Sequence, residues 1–239
     1  MTVVHLIRHG KATPDKASYD ELHPIGQEQS RRLGAYLAAR DQRFDAIYCG
    51  PLQRQADTLR IMREAAGATA ARWPTTVVLD GLAEAPLEAI MRHCLAERLP
   101  GDVALQGLLH ALGASTEPGA SALALESLLS YLVERWVAGE FERPGIESAA
   151  DFGRRVLGAF SQVLAEQPGA AHVAVITSGG VIGWLVAHAQ GLPEFQRTGG
   201  LGRFLNTSIT RIEATTGGLG VIGLNALDHL ADPALETFI

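Results

Sequence analysis

Val3-Val4-His5-Leu6-Ile7 runs directly into Arg8-His9-Gly10. A short apolar run rich in β-branched residues, stopped by a glycine that lets the chain turn sharply, reads as a buried strand. Arg8 and His9 then stand at that strand's carboxyl end. In open α/β sheets ligands sit outside this edge, so a guanidinium and an imidazole side by side there point to an anionic ligand.

The strand-and-turn pattern recurs along the chain. Phe44 to Cys49 reads as a second strand ended by Gly50-Pro51, and the helix after it, Leu52 to Ala66, carries Arg54 in its first turn. Thr75 to Leu79 is a third strand, left through Gly81-Leu82-Ala83-Glu84. Val173-Ala174-Val175-Ile176 is the clearest central strand, and it feeds Thr177-Ser178-Gly179-Gly180 and a helix over 181–189. Ile25 to Ala39 has helical spacing, with Leu33, Tyr36 and Leu37 on one face. Phe204 to Ile212 and Leu219 to Leu224 read as two final strands, a hairpin about Thr216-Gly217-Gly218. Strands alternating with helices predict an α/β fold of three layers, α/β/α, around a mostly parallel central sheet.

From Ala85 to about Glu147 the pattern changes to Ala- and Leu-rich helical pieces broken at Pro100-Gly101, Pro118-Gly119 and Pro144-Gly145. This reads as a helical insertion, about 85–147, that caps the site within a single domain spanning 1–239. Its longest piece, Ser121 to Gly139, keeps Leu125, Leu128, Leu129, Leu132 and Val133 on one face, as a helix docked on a core does. Glu147 to Glu166 is a further amphipathic helix with Phe152, Val156, Phe160 and Val163 in a stripe.

Composition bounds the partners. A formal charge of −6 over 239 residues lacks the electrostatic footprint of a protein that binds nucleic acid or an anionic membrane, so any anion site must be local. The two cysteines, Cys49 and Cys94, are too few for a disulfide framework and lack metal-ligand spacing. They read as buried structural thiols in a reducing, cytoplasmic setting. The chain does not open on a basic segment followed by an apolar one, and no apolar stretch reaches the length of about 18 residues expected of a membrane helix.

Several segments, in chain order, resemble the histidine phosphatase superfamily, whose fold is phosphoglycerate mutase-like. Leu6-Ile7-Arg8-His9-Gly10 matches that family's RHG signature. Leu22-His23-Pro24-Ile25-Gly26-Gln27-Glu28-Gln29 is similar to its L-T-x-x-G-x-x-Q pattern, with His23 in the Thr position. Tyr48 to Thr58 resembles its Y-S-S-P-L-x-R-x-x-x-T segment, Leu82-Ala83-Glu84 its L-x-E acid, and Asn225 with His229-Leu230 its N-x-x-x-H-L pattern. The resemblance breaks at one turn. Where the family has a second catalytic histidine in S-H-G-G, this chain reads Thr177-Ser178-Gly179-Gly180, so Ser178 takes the histidine position. The Trp-Glu-Gly that commonly trails the family's acid is also missing, since Ala85-Pro86-Leu87 follows Glu84.

The resemblance implies phosphoryl transfer through a phosphohistidine. Neutral His9 would attack phosphorus in line, and Glu84 would protonate the leaving oxygen and later deprotonate the attacking water. Arg8 and Arg54 would surround the phosphoryl oxygens, helped by Ser178 and by the backbone N–H groups at Gly179 and Gly180. Exchanging a charged imidazole for a serine hydroxyl removes one preorganised charged donor, worth about 3 kcal/mol or on the order of a hundredfold in rate. Lys11 and His23 are auxiliary candidates to fill that gap. The remaining histidines carry no spacing argument, and Arg92, Arg98 and Arg203 read as solvated, with a second anionic group on the substrate as their alternative.

The resulting expectation is a phosphatase, weak or specialised, acting on a small phosphorylated substrate or holding a phosphate ion, with no metal, no cofactor, no nucleic acid and no membrane. The oligomeric state stays open, a dimer included. One alternative is a non-catalytic phosphate-binding or interaction module of the same fold. A phosphoglycerate mutase is disfavoured by the sequence after Glu84, and a serine hydrolase by Ile176, which stands where G-x-S-x-G needs its first glycine.

Overall fold

The computed structural model describes residues 1–13, 20–115, 118–167, 169, 171–192 and 204–238. Among them six strands form one sheet: β1 (Thr2–Arg8), β2 (Ala46–Cys49), β3 (Thr76–Val78), β4 (Ala171–Thr177), β5 (Ile209–Thr215) and β6 (Gly218–Ala226). Their order is β3-β2-β4-β1-β5-β6. The first four run parallel, while β5 and β6 are antiparallel to their neighbours. β4 is the central strand its sequence predicts. Val173 to Ile176 are fully buried, as a parallel strand covered on both faces requires.

Alternation along the strands sorts side chains between two cores. Ile7, Ile47, Cys49, Ala174 and Ile176 face one layer, where they meet Leu33 and Leu37 of α1 (Pro24–Ala39) and Leu59 and Met62 of α2 (Gln53–Ala66). Val4, Leu6, Tyr48, Val173 and Val175 face the other layer. There they meet Phe152, Val156, Phe160 and Val163, the stripe read from the sequence.

The helical segment 85–147 docks on this second core. It contains α3 (Leu87–His93), α4 (Val103–Ala114) and α5 (Pro118–Val137), and buries Ile90, Cys94, Leu105, Leu128, Leu132 and Trp136 against it. α6 (Ala149–Glu166) and α7 (Gly179–Ala189) complete the layer. The fold is thus a three-layer α/β/α sandwich around a mostly parallel sheet. No helix of the described residues is long and apolar enough to cross a membrane.

Several boundaries differ from the sequence reading for identifiable reasons. α1 and α5 begin at Pro24 and Pro118 because a proline, whose missing N–H is no loss in the first turn, starts a helix as readily as it breaks one. β5 begins at Ile209, not Phe204, because residues 204–208 coil against the end of β1 through Thr207, whose φ is 59°. Arg92 pairs with Glu88 and Arg98 with Glu140 at the surface. Arg203 lies outside the described residues.

Candidate active site

The parallel register brings three strand ends level. Arg8 pairs with Thr177, and Cys49 with Ile176. Past the ladder, His9 N–H donates to Thr177 O at 2.9 Å and Gly50 N–H to Ile176 O at 3.0 Å. His9, Ser178 and Gly50 therefore stand along one edge of the sheet.

The turn after β1 is held from both sides. A Cβ on Gly10 would stand 2.5 Å from Gly26 O, so only glycine lets this turn rest on the start of α1. Gly10 N–H donates to Thr58 Oγ1 at 3.0 Å, and that hydroxyl donates to Arg54 O at 2.7 Å. On the opposite side, residues 204–208 clasp the strand end. Asn206 Nδ2 donates to His9 O at 3.1 Å, Thr207 N–H donates to Arg8 O at 3.1 Å, and a guanidinium N–H of Arg8 donates to Phe204 O. Asn225 and His229 brace this clasp: Asn225 Oδ1 accepts from Leu205 N–H at 2.8 Å, and His229 Nε2 lies 2.9 Å from Thr207 Oγ1. The terminal N-x-x-x-H pattern therefore supports the site from behind.

The buried ring of His9 has a determined tautomer. Nδ1 lies 2.7 Å from Gly10 O, which can only accept, so Nδ1 carries the hydrogen. Arg54 Nε–H, which can only donate, lies 3.2 Å from Nε2, so Nε2 presents its lone pair. Burial, then the charges of Arg54 and Arg8, hold the imidazole pKa well below its ordinary value against the opposing pull of Gly10 O. His9 is therefore neutral near pH 7.

Arg54 is buried in the first turn of α2, and its guanidinium is 2.7 Å from Asp20 Oδ1. Asp20 also accepts from Gln53 N–H at 2.8 Å, capping the same helix. Lys11 is half-buried, and its pKa is lowered by burial and by the charge of Arg8. It lies close enough to Arg8 to feel that charge. His23 has a structural task, because its Nδ1 accepts from Ile25 N–H at 3.1 Å and caps α1.

The end of β4 is built differently. Ser178 is fully buried, and its Oγ accepts from Gln55 Nε2 at 2.8 Å. Gly179 is the first residue of α7. The next N–H, of Gly180, is already engaged: Glu84 Oε1 lies 3.1 Å from it and 2.8 Å from Ala85 N–H. The carboxylate thus lies across the amino end of α7, where the helix dipole favours negative charge. Arg155 steadies the Glu84 loop by donating to Gly81 O at 3.1 Å, Ala83 O at 2.9 Å and Glu84 O at 3.2 Å. Its own charge is met by Glu147 at 2.7 Å.

The structure brings Arg8, His9 and Arg54 into one cluster, with Ser178 on the neighbouring strand end and Glu84 at the helix that follows it. Sequence reasoning assigned no role to Asp20, Gln55, Thr58, Asn206 or Arg155. Gln55 and Thr58 lie within the Tyr48 to Thr58 segment that it singled out, whereas the other three carry no local signal. Among the described residues no three His, Cys, Asp or Glu side chains gather as a metal site would need.

The family model described as histidine phosphatase superfamily (branch 1) matches residues 4–97 and 121–227. No curated protein matches the chain by sequence. Among solved structures, a variant of the phosphoserine phosphatase of Entamoeba histolytica in complex with phosphoserine is similar, with a TM-score of 0.60 and 18% identity over 96% of this chain and 100% of that one. A mycobacterial glucosyl-3-phosphoglycerate phosphatase in complex with VO3 aligns with a TM-score of 0.61 and 21% identity, covering 94% of this chain and 99% of that one. The phosphoglycerate mutase of Bacillus anthracis aligns with a TM-score of 0.62 and 17% identity, covering 95% of this chain and 94% of the mutase. At such identities these likenesses speak for the fold.

Proposed function

We propose, for a chain that belongs to the histidine phosphatase superfamily, the hydrolysis of a small phosphomonoester through a phosphohistidine on His9. The observation that carries this reading is the His9 ring, neutral, with Nδ1–H on Gly10 O and the Nε2 lone pair facing the Arg54 guanidinium. In the first step Nε2 forms a bond to phosphorus as the bond from phosphorus to the leaving oxygen breaks, and Glu84, which takes up a proton from solvent as the phosphate dianion binds, passes that proton to the leaving oxygen. In the second step water attacks phosphorus, the P–N bond breaks, and the water proton returns to Glu84. Arg54 shifts its N–H groups from Nε2 to the equatorial oxygens, where Arg8 and the Ser178 hydroxyl join it, with Lys11 as a further cation.

The helices of residues 85–147 cap the site in this reading, and the substrate is a small phosphate ester such as those the structural neighbours are named for. A serine hydrolase is disfavoured because Ser178 Oγ is paired with Gln55 rather than with a histidine base. One observation favours a second reading, a non-catalytic phosphate-binding module: Glu84 already occupies the Gly180 N–H that an anion would use. Rapid-quench trapping of an acid-labile phosphoenzyme separates the two. We expect wild type to form it from p-nitrophenyl phosphate and His9→Ala to lose it together with at least about a thousandfold in turnover. His9→Ala with unchanged turnover overturns the phosphohistidine, and phosphate binding without any phosphoenzyme supports the module.

A further inference from the structure

The strand end that lacks the expected imidazole is filled from another element. Gln55 and Ser178 are both fully buried. The carboxamide of Gln55 has a determined orientation: Leu52 N–H, which only donates, lies 3.1 Å from Oε1, and Leu82 O, which only accepts, lies 3.2 Å from Nε2. Nε2 therefore donates to Ser178 Oγ at 2.8 Å, and the serine oxygen is the acceptor. Among the described residues this is the one side-chain hydrogen bond of Ser178, which leaves its hydroxyl hydrogen uncommitted. The carboxamide is also wedged in place. A Cβ on Gly50 would stand 2.2 Å from Oε1, so Gln55 lies flat against the bare backbone of the turn after β2.

The geometry points to Gln55 as a positioning residue that makes Ser178 a one-way donor for a phosphoryl oxygen, a neutral pair standing where an imidazole was expected. A hydroxyl can donate or accept. Once its oxygen is engaged by an amide N–H and no protein acceptor claims its hydrogen, donation to an incoming oxygen is the remaining use. The register places Ser178 on the same sheet edge as His9, since His9 N–H is bonded to Thr177 O, one residue before Ser178. The catalytic consequence rests on the phosphohistidine reading, whereas the donor pair itself is read by phosphate binding alone.

The pair also predicts how the missing histidine behaves when restored. Ser178→His puts a ring carbon near the present Oγ position, 2.8 Å from Gln55 Nε2. Non-bonded heavy atoms prefer about 3.5 Å or more. The imidazole therefore fits only when Gln55 is shortened.

The test is a double-mutant cycle with inorganic phosphate as probe, measured by calorimetry alongside kcat and KM for p-nitrophenyl phosphate. Gln55→Met keeps the volume and removes the donor, and Ser178→Ala removes the hydroxyl. Each single change is expected to weaken phosphate binding about threefold to tenfold, and the double change by no more than the larger single. Losses that multiply, or a Gln55→Met protein that binds phosphate as wild type does, overturn the pairing. Gln55→Glu offers a carboxylate that claims the serine hydrogen, so it should bind phosphate less well than Gln55→Met; binding equal to wild type overturns the proposal. Ser178→His alone should lose turnover, and Ser178→His with Gln55→Ala should regain it. If His9→Ala keeps its turnover while the cycle stays coupled, the phosphohistidine fails and the pair stands. If His9→Ala is inert and the losses multiply, the reverse holds. A chain that binds no phosphate overturns both.

Discussion

The carboxyl ends of β1 and β4 are hydrogen-bonded neighbours, yet they are assembled from opposite materials. At the end of β1 a neutral imidazole lies among charges: Arg54 on its Nε2, Asp20 on Arg54, and Arg8, whose charge also acts on Lys11. At the end of β4 the side-chain contact of Ser178 is neutral, a hydroxyl with a carboxamide, and the Glu84 carboxyl is turned onto the backbone of α7. Both ends are buried, and both draw hydrogen-bond partners from elements distant in sequence. The difference teaches that two adjacent buried strand ends can be held one by charged and the other by neutral hydrogen-bonding partners; on the reading proposed above, the second keeps a directed donor without a charge.

The comparison can be broken most forcefully with acid. The β1 side carries His5, His9 and His229 as buried neutral rings, with pKa values lowered to about 3 for His5, to about 4 for His229 and well below 6.5 for His9, each mainly by burial. A folded-state pKa below the unfolded value means that the unfolded chain binds more protons. Stability is therefore complete above about pH 6.5 and falls as the pH drops toward the folded values, by roughly 1.4 kcal/mol per pH unit for each such ring. Urea unfolding at pH 7, 6 and 5 checks this, and a flat profile would show that the β1 end is not the dry environment described.

The next largest effect is expected from Arg54. Arg54→Ala should lower kcat by about a hundredfold to a thousandfold, and Arg54→Lys should recover little of it, since one ammonium cannot reproduce a fork that spans His9 and Asp20. Steady-state hydrolysis of p-nitrophenyl phosphate measures it. Full activity in Arg54→Lys would reduce the charged end to a point charge. The smallest effect belongs to the clasp: Asn206→Ala removes two neutral bonds, one to His9 O and one from Thr237 Oγ1, and should cost about 2 kcal/mol of stability, read as a lowered melting temperature. A larger loss in turnover than in stability would place Asn206 with the charged end rather than behind it.

Much of this edge was legible in the chain itself. The turn residues after Ile7, Cys49 and Ile176 announced where the strands stop, and the groups just past them, Arg8, His9, Arg54 and Ser178, are those the structure gathers. The segment at 204–208 reads as strand because its apolar and β-branched residues have the composition of one, yet β5 begins only at Ile209. Its backbone instead serves the end of β1, a demand set by a strand two hundred residues earlier. Asp20 and Arg155 were invisible for a related reason: a carboxylate in a polar loop and an arginine on an amphipathic helix look like solvated residues until the partner surface is present.

By itself the sequence determined the layered α/β fold, the position of the strand ends, the presence of His9 with two arginines, and the serine where a second histidine was expected. These follow from periodicity and turn chemistry, which act over a few residues. Only the tertiary structure decided the tautomer of His9, the seat of Glu84 on α7 and the pairing of Ser178 with Gln55. Those bonds join residues 45, 96 and 123 positions apart, and such partners are chosen by how helices and loops close around a buried edge rather than by any pattern along the chain.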